Sequence, residues 1–167
     1  MLVKRRFIVL VVTCTALVLW MFFIFSMSAQ SGSESVGVSG RVISVICDAL
    51  IPSFDDISEL AKAELISALS LPIRKLAHFS EYFILGVISS ILFMQLKKEV
   101  SLKINTSLIA FVFGVLYAIT DELHQRFVPG RACAFTDVII ESLGVLCGCI
   151  CCYLIYMAVT KNRQKIK

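Results

Sequence analysis

Three short runs hold most of the residue types able to do chemistry in this chain. The first is Lys75-Leu-Ala-His78-Phe-Ser-Glu81-Tyr82. The second is Asp121-Glu122-Leu-His-Gln125, followed after Phe127-Val-Pro-Gly by Arg131. The third is Asp137 with Glu141 four residues on. Histidine and carboxylates of this kind offer general acid–base chemistry, with His78, Glu81, Asp121 and Glu122 as the catalytic candidates. An oxygen-rich set drawn from His78, Glu81, Asp121, Glu122 and Asp137 would suit Mg²⁺ or Mn²⁺ better than zinc. Cations beside acids and an amide also suit recognition of a charged, hydroxylated ligand. That binding set is Lys75, His78, Glu81, Tyr82, Asp121, Glu122, Gln125, Arg131, Asp137 and Glu141.

Helical spacing organises these residues. Lys75, His78 and Tyr82 share a helix face, with Glu81 on its flank. Tyr117, Asp121 and Gln125 are each four apart and form a single stripe. Asp137 and Glu141 continue along their stripe into Gly144 and Gly148, a small-xxx-small pattern that lets another helix approach closely. That neighbour could belong to a second copy of the chain, so a homo-oligomer through Gly144 and Gly148 is one expectation. Arg131 cannot be deprotonated and is the natural counter-ion for Asp121, Glu122 or Asp137. Charges at helix ends often only pair in the headgroup layer. Ionisable groups from three helices at one depth favour function instead. His124, Lys75 and Arg126 are the weaker members.

The elements that carry these residues are membrane spans. Of 167 residues, 58% are hydrophobic and only 17% charged, against about 45–50% and roughly 25% in a soluble domain. The apolar residues fall into long runs. Spans are expected at about 7–26, 76–96, 104–124 and 135–159, each near the ~20 residues that cross a bilayer. The first run exceeds the core of a signal peptide and is read as a retained helix. Lys and Arg set the direction. With the N-terminus inside, the cytoplasmic segments carry +9 and the outer ones −5, giving the net +4. The fold class is therefore all-α: a four-helix transmembrane bundle, N-in and C-in, in a single domain covering 1–167. The chemistry-bearing residues then gather at its outer end. The net charge is too modest to suggest nucleic acid as a partner; the lipid bilayer is the expected one.

Between the first two spans, SAQSGSESVGVSG reads as a loop. A segment at about 41–72 follows, with Ile57, Leu60, Ala61, Leu65, Ala68 and Leu69 on one face. It predicts one or two short amphipathic helices on the outer leaflet, with Ser53 and Asp56 as a capping box. Of the seven cysteines, Cys147, Cys149, Cys151 and Cys152 crowd one apolar run as packing residues. Cys47 and Cys133 could both lie outside and pair.

Lys75-x-x-His78-Phe79-x-Glu81-Tyr82-x-x-Leu85-Gly86, Asp121-Glu122-x-x-Gln125-x-Phe127-x-Pro129-x-Arg131 and Asp137-Val138 through Gly144 together resemble the VanZ-like family of bacterial membrane proteins. Phe25-Ser26 through Gln30-Ser31 resembles that family as well. The resemblance implies a multi-pass protein of the bacterial plasma membrane and cell envelope, in a context of resistance to the glycopeptide teicoplanin. Four residues after the Asp the family usually has Asn, where this chain has Glu141. An ionised Glu only accepts hydrogen bonds, so Glu141 needs a proton or an added cation such as Lys75 or Arg131. Two functional classes stand. One is a binding protein for a lipid-linked, amphipathic or glycopeptide ligand. The other is an intramembrane acid–base or metal-dependent enzyme on a lipid-linked substrate, a hydrolase or transferase. Four spans without a repeat make a small transporter less attractive.

Overall fold

The computed structural model describes residues 2–100 and 105–165. Ile104, the expected start of the third span, lies outside them, as do Lys103 and Lys167 of the expected cytoplasmic charge set. Five α-helices and no strand are present among the described residues: α1 (Leu2–Ser28), α2 (Gly32–Leu50), α3 (Glu59–Val100), α4 (Thr106–Gln125) and α5 (Phe135–Lys165), with a 3₁₀ turn at Phe54–Asp56. Four are long and apolar enough to cross a membrane, over Lys4–Ser28, Glu59–Lys97, Thr106–Gln125 and Phe135–Asn162.

The segment between the first two spans differs from its sequence reading. GSESVGVSG, from Gly32, is helix, not loop. Ser31 caps α2 through a reciprocal box with Glu34: the Glu34 amide donates to Ser31 Oγ, and the Ser31 amide to Glu34 Oε2 at 2.8 Å. Two otherwise orphaned amides at the helix start are thereby satisfied. Ser53 forms no cap. It sits in the left-handed region at φ 61° without a side-chain hydrogen bond.

Nor does the amphipathic segment end at Pro72. α3 runs through that proline for 42 residues, ~63 Å at the α-helical rise, about twice a hydrocarbon core of ~30 Å. A proline inside a helix forfeits one hydrogen bond. Packing on both sides offsets that loss. Leu65, Ile66, Leu69 and Ile73 straddle Pro72 and all pack on the cluster of Ile43, Cys47 and Phe54. The first part of α3 thus pairs with α2. Leu60, by contrast, stays exposed.

The bundle core consists of Leu17, Ile24, Tyr82, Leu85, Leu92, Ala110, Ala118, Val145 and Cys149. Its tightest seam joins α3 to α5. A Cβ on Gly144 would run into the Phe79 carbonyl, and one on Gly148 into the Phe83 carbonyl. From the other side, a Cβ on Gly86 would lie 2.5 Å from the Val145 oxygen. The close approach expected at Gly144 and Gly148 is therefore made within the chain. α3 covers that face. The bundle's remaining surface is lined by exposed apolar side chains such as Phe7, Phe22, Leu116, Leu154 and Ile155. All seven cysteines are free; Cys47 is buried and Cys133 exposed, so they do not pair.

Candidate functional site

α4 stops where the sequence makes it stop. Gln125 is followed by a tight turn, Pro129 carries no amide hydrogen, and Gly130 takes φ 72°, a conformation glycine adopts freely. The turn presses on the start of α2, where the Gly32 amide donates to the Pro129 carbonyl at 3.0 Å. This geometry aims Arg131 back at the bundle. Its Nε donates to the Gln30 carbonyl at 2.9 Å and its Nη2 to the Met27 carbonyl at 3.1 Å. Met27 lies in the last turn of α1, where carbonyls lack helical partners and the helix dipole favours a cation.

The third donor of Arg131, Nη1, reaches Gln125 Oε1 at 3.1 Å. Gln125 turns its amide nitrogen the other way, to Ser28 Oγ at 3.3 Å and Asp121 Oδ2 at 3.4 Å. Ser28 Oγ donates to the same Asp121 oxygen at 2.6 Å. Arg131 is thus not the direct partner of an acid, as its sequence position suggested. It binds three neutral acceptors, and Gln125 relays it to Asp121. Burial and the neighbouring Arg74 push the Arg131 pKa down from its ordinary value, while Asp121, Glu122 and Glu81 oppose that. A guanidinium stays charged under such a shift.

α5 starts against this assembly. Glu122, almost fully buried, accepts the Ala134 amide through Oε1 just before the helix. Lys75 Nζ lies 3.3 Å from Asp137 Oδ1. His78 Nδ1 lies 3.1 Å from Glu141 Oε1, an ion-pair distance without hydrogen-bond geometry. The basic side chain nearest Glu141 is therefore His78, not Lys75 or Arg131. Several buried atoms have no hydrogen-bond partner: Tyr82 Oη, Asp121 Oδ1, Glu122 Oε2 and both Glu141 oxygens.

Among the described residues no three His, Cys, Asp or Glu side chains converge to hold a metal ion. The carboxylates proposed for Mg²⁺ or Mn²⁺ are divided: Asp137 turns to Lys75, Asp121 to Ser28 and Gln125, and Glu122 to Ala134.

A cavity of about 130 Å³ opens beside this clamp of Arg131, Gln125, Ser28 and Asp121, between the end of α1, α2 and the middle of α3. Its polar lining includes Ser28, Arg74, His78, Glu81 and Arg131. Sequence residues separate here. His78, Glu81 and Arg131 face the cavity. Tyr82, Gln125 and Glu141 are buried in the packing beside it, and Lys75 is engaged with Asp137. His124 only stacks on Phe25, with ring centroids 4.5 Å apart.

Over this geometry the VanZ/LLP1 family model matches residues 13–156. The chain belongs to the VanZ/LLP1 family. That stretch runs from α1 to α5 and includes every residue of the clamp and cavity. No curated protein and no solved structure matches the chain. In this VanZ/LLP1 protein, sequence reasoning passed over Ser28 and Arg74. Ser28 had a signal, since it lies in the polar phrase Phe25–Ser31 directly after the first span. Arg74 had none beyond its place one residue before Lys75.

Proposed function

We propose that this VanZ/LLP1 protein is a plasma-membrane protein of the bacterial envelope, with both termini cytoplasmic. In this proposal its cavity receives the polar head of a lipid-linked, amphipathic or glycopeptide ligand. The observation carrying the proposal is a small cavity at the ends of apolar spans, with Arg74, His78, Glu81 and Arg131 in an otherwise largely apolar wall. Ligand pockets for whole drug-sized molecules measure ~300–1,000 Å³. At about 130 Å³ this one admits a head group only, and the rest of an amphiphile would lie along the exposed apolar helix faces. The orientation rests on the Lys and Arg bias of the sequence.

Three measurements test it. Purified protein in lipid nanodiscs should bind a fluorescent lipid-linked amphiphile, and His78→Ala and Glu81→Gln should weaken binding at least tenfold; undiminished binding by both variants would refute the site. Cys133, exposed on the α4–α5 turn, should react with a membrane-impermeant maleimide in intact cells, using Cys133→Ser as the control. Labelling only after lysis would reverse the orientation. A link to glycopeptide resistance predicts that expression raises teicoplanin tolerance and that His78→Ala abolishes the rise.

The enzyme alternative draws on one contact, His78 against Glu141, with Glu81 in the same cavity. It predicts turnover of a lipid-linked substrate by purified protein, lost in Glu81→Gln. Binding without turnover leaves the first proposal standing alone.

A further inference from the structure

The cavity holds two arginines. Arg131 spends three of its five N–H donors on Gln30, Met27 and Gln125. Arg74, across the cavity on α3, has a buried Nε with no hydrogen-bond partner. No carboxylate lies within ion-pair distance of it among the described residues. A buried, unused guanidinium donor is costly, because desolvation is not repaid by a hydrogen bond. The two guanidiniums also repel, since Arg74 is close enough to depress the Arg131 pKa.

Lys75, the cation the sequence offered for this role, is taken by Asp137. One residue earlier on a helix is ~100° around the axis, and that rotation carries Arg74 to the cavity side. The charged side chains lining the cavity are Arg74, Arg131 and Glu81, with His78 beside them. With His78 neutral their formal sum is +1. A singly charged anion balances it. The cavity lies where α1 and α4 end and α5 begins, the depth at which a bilayer places its head groups.

Resting on the head-group reading above, we propose that the ligand is a lipid phosphodiester, its phosphate held between Arg74 and Arg131. Guanidinium groups match phosphate oxygens through paired, charge-assisted hydrogen bonds. Glu81 accepts a hydrogen bond from a head-group hydroxyl. Arg74 is then a ligand-binding residue, and Lys75 is not.

Calorimetry in an uncharged detergent tests this with four probes: dihexanoylphosphatidylglycerol, dihexanoylglycerol, decanoate and inorganic phosphate. Arg74→Ala is the decisive variant. Arg74 makes no hydrogen bond or ion pair within the described chain, so the variant should fold, checked by an unchanged melting temperature. The phosphodiester should bind the native protein at least tenfold more tightly than the other three probes. Arg74→Ala should lose at least tenfold of that affinity, and Arg74→Lys should lose less. Equal binding by Arg74→Ala overturns the proposal. So does equal binding of decanoate or dihexanoylglycerol, and if His78→Ala still weakens all the amphiphiles, the head-group pocket survives without its phosphate. Inorganic phosphate binding as tightly as the lipid would mean a free-anion site and overturns the lipid assignment. If no amphiphile binds, both proposals fall together.

Discussion

At the end of α4, Arg131 has an acceptor for each of its three donor groups, and Gln125, Ser28 and Asp121 Oδ2 close a single network. Deeper along the α3–α5 seam, beyond the Lys75–Asp137 pair, the opposite holds. His78 Nδ1, Tyr82 Oη and both Glu141 oxygens are buried without hydrogen bonds. The two regions differ in what else holds their helices together. α3 and α5 are locked by backbone contact at Gly86, Gly144 and Gly148. α1 packs sparingly on α4, and Arg131 supplies hydrogen bonds to join them. Polar groups are spent on cohesion where close packing is missing. Where close packing is present, they are left over.

The comparison breaks first at the glycines. Gly144→Leu would force a side chain into the Phe79 carbonyl of α3. Overpacking costs ~1–3 kcal/mol and occasionally more, and backbone leaves no flexible end to yield. The expected outcome is the largest effect in the molecule: loss of a monodisperse species in size-exclusion chromatography, or a stability drop of about 3 kcal/mol. A variant that purifies and melts like the native protein would show that the seam is not held by backbone contact.

The clamp should come next. Arg131→Ala removes three charge-assisted hydrogen bonds, each worth about 1.5–3 kcal/mol at most and less where half-exposed. A loss of roughly 2–4 kcal/mol is expected in a thermal or denaturant melt. Glu141→Gln is its counterpart at the seam. It exchanges a carboxyl for an amide of the same size on a side chain that is 0% exposed and makes no hydrogen bond. Since a buried polar group without a partner is destabilising, stability should stay within about 1 kcal/mol or rise. If Glu141→Gln destabilises more than Arg131→Ala, cohesion and leftover polarity are assigned to the wrong regions.

Much of this was legible in the sequence for plain reasons. Runs of ~20 apolar residues admit few alternatives to spans, so four helices followed directly. Spacings of three and four put His78, Asp121, Gln125, Asp137 and Glu141 on inward faces, and the glycine stripe announced a close helix. Which partner each would take was not legible, because rotamers and helix rotation decide it. Lys75 and Arg74 differ by one position and face different neighbours. α3 passes through Pro72 because contacts with α2 outweigh a local penalty, and no window around Pro72 contains those contacts. α2 itself had a signal in Ser31-Gly-Ser-Glu34, a capping box outweighed by the Ser and Gly content around it.

That capping box gives the smallest effect and a pH dependence. Hydrogen bonds from the Ser31 side chain, then from its backbone, hold the Glu34 pKa below its ordinary value. A carboxylate whose pKa falls on folding stabilises the folded state when ionised. Its contribution is present above the unfolded value of 4.5 and is lost as pH drops through the folded value. Glu34 is fully exposed to solvent, so the effect stays local. Hydrogen exchange should show the first turn of α2 protected at neutral pH and fraying as pH falls below 4.5, with Glu34→Gln flattening that profile. The cavity wall at Ser35, Val38 and Ser39 lies one turn further along. Fraying that reaches those residues would tie the local cap to the cavity. Fraying confined to the first turn would leave the cavity wall independent of the cap.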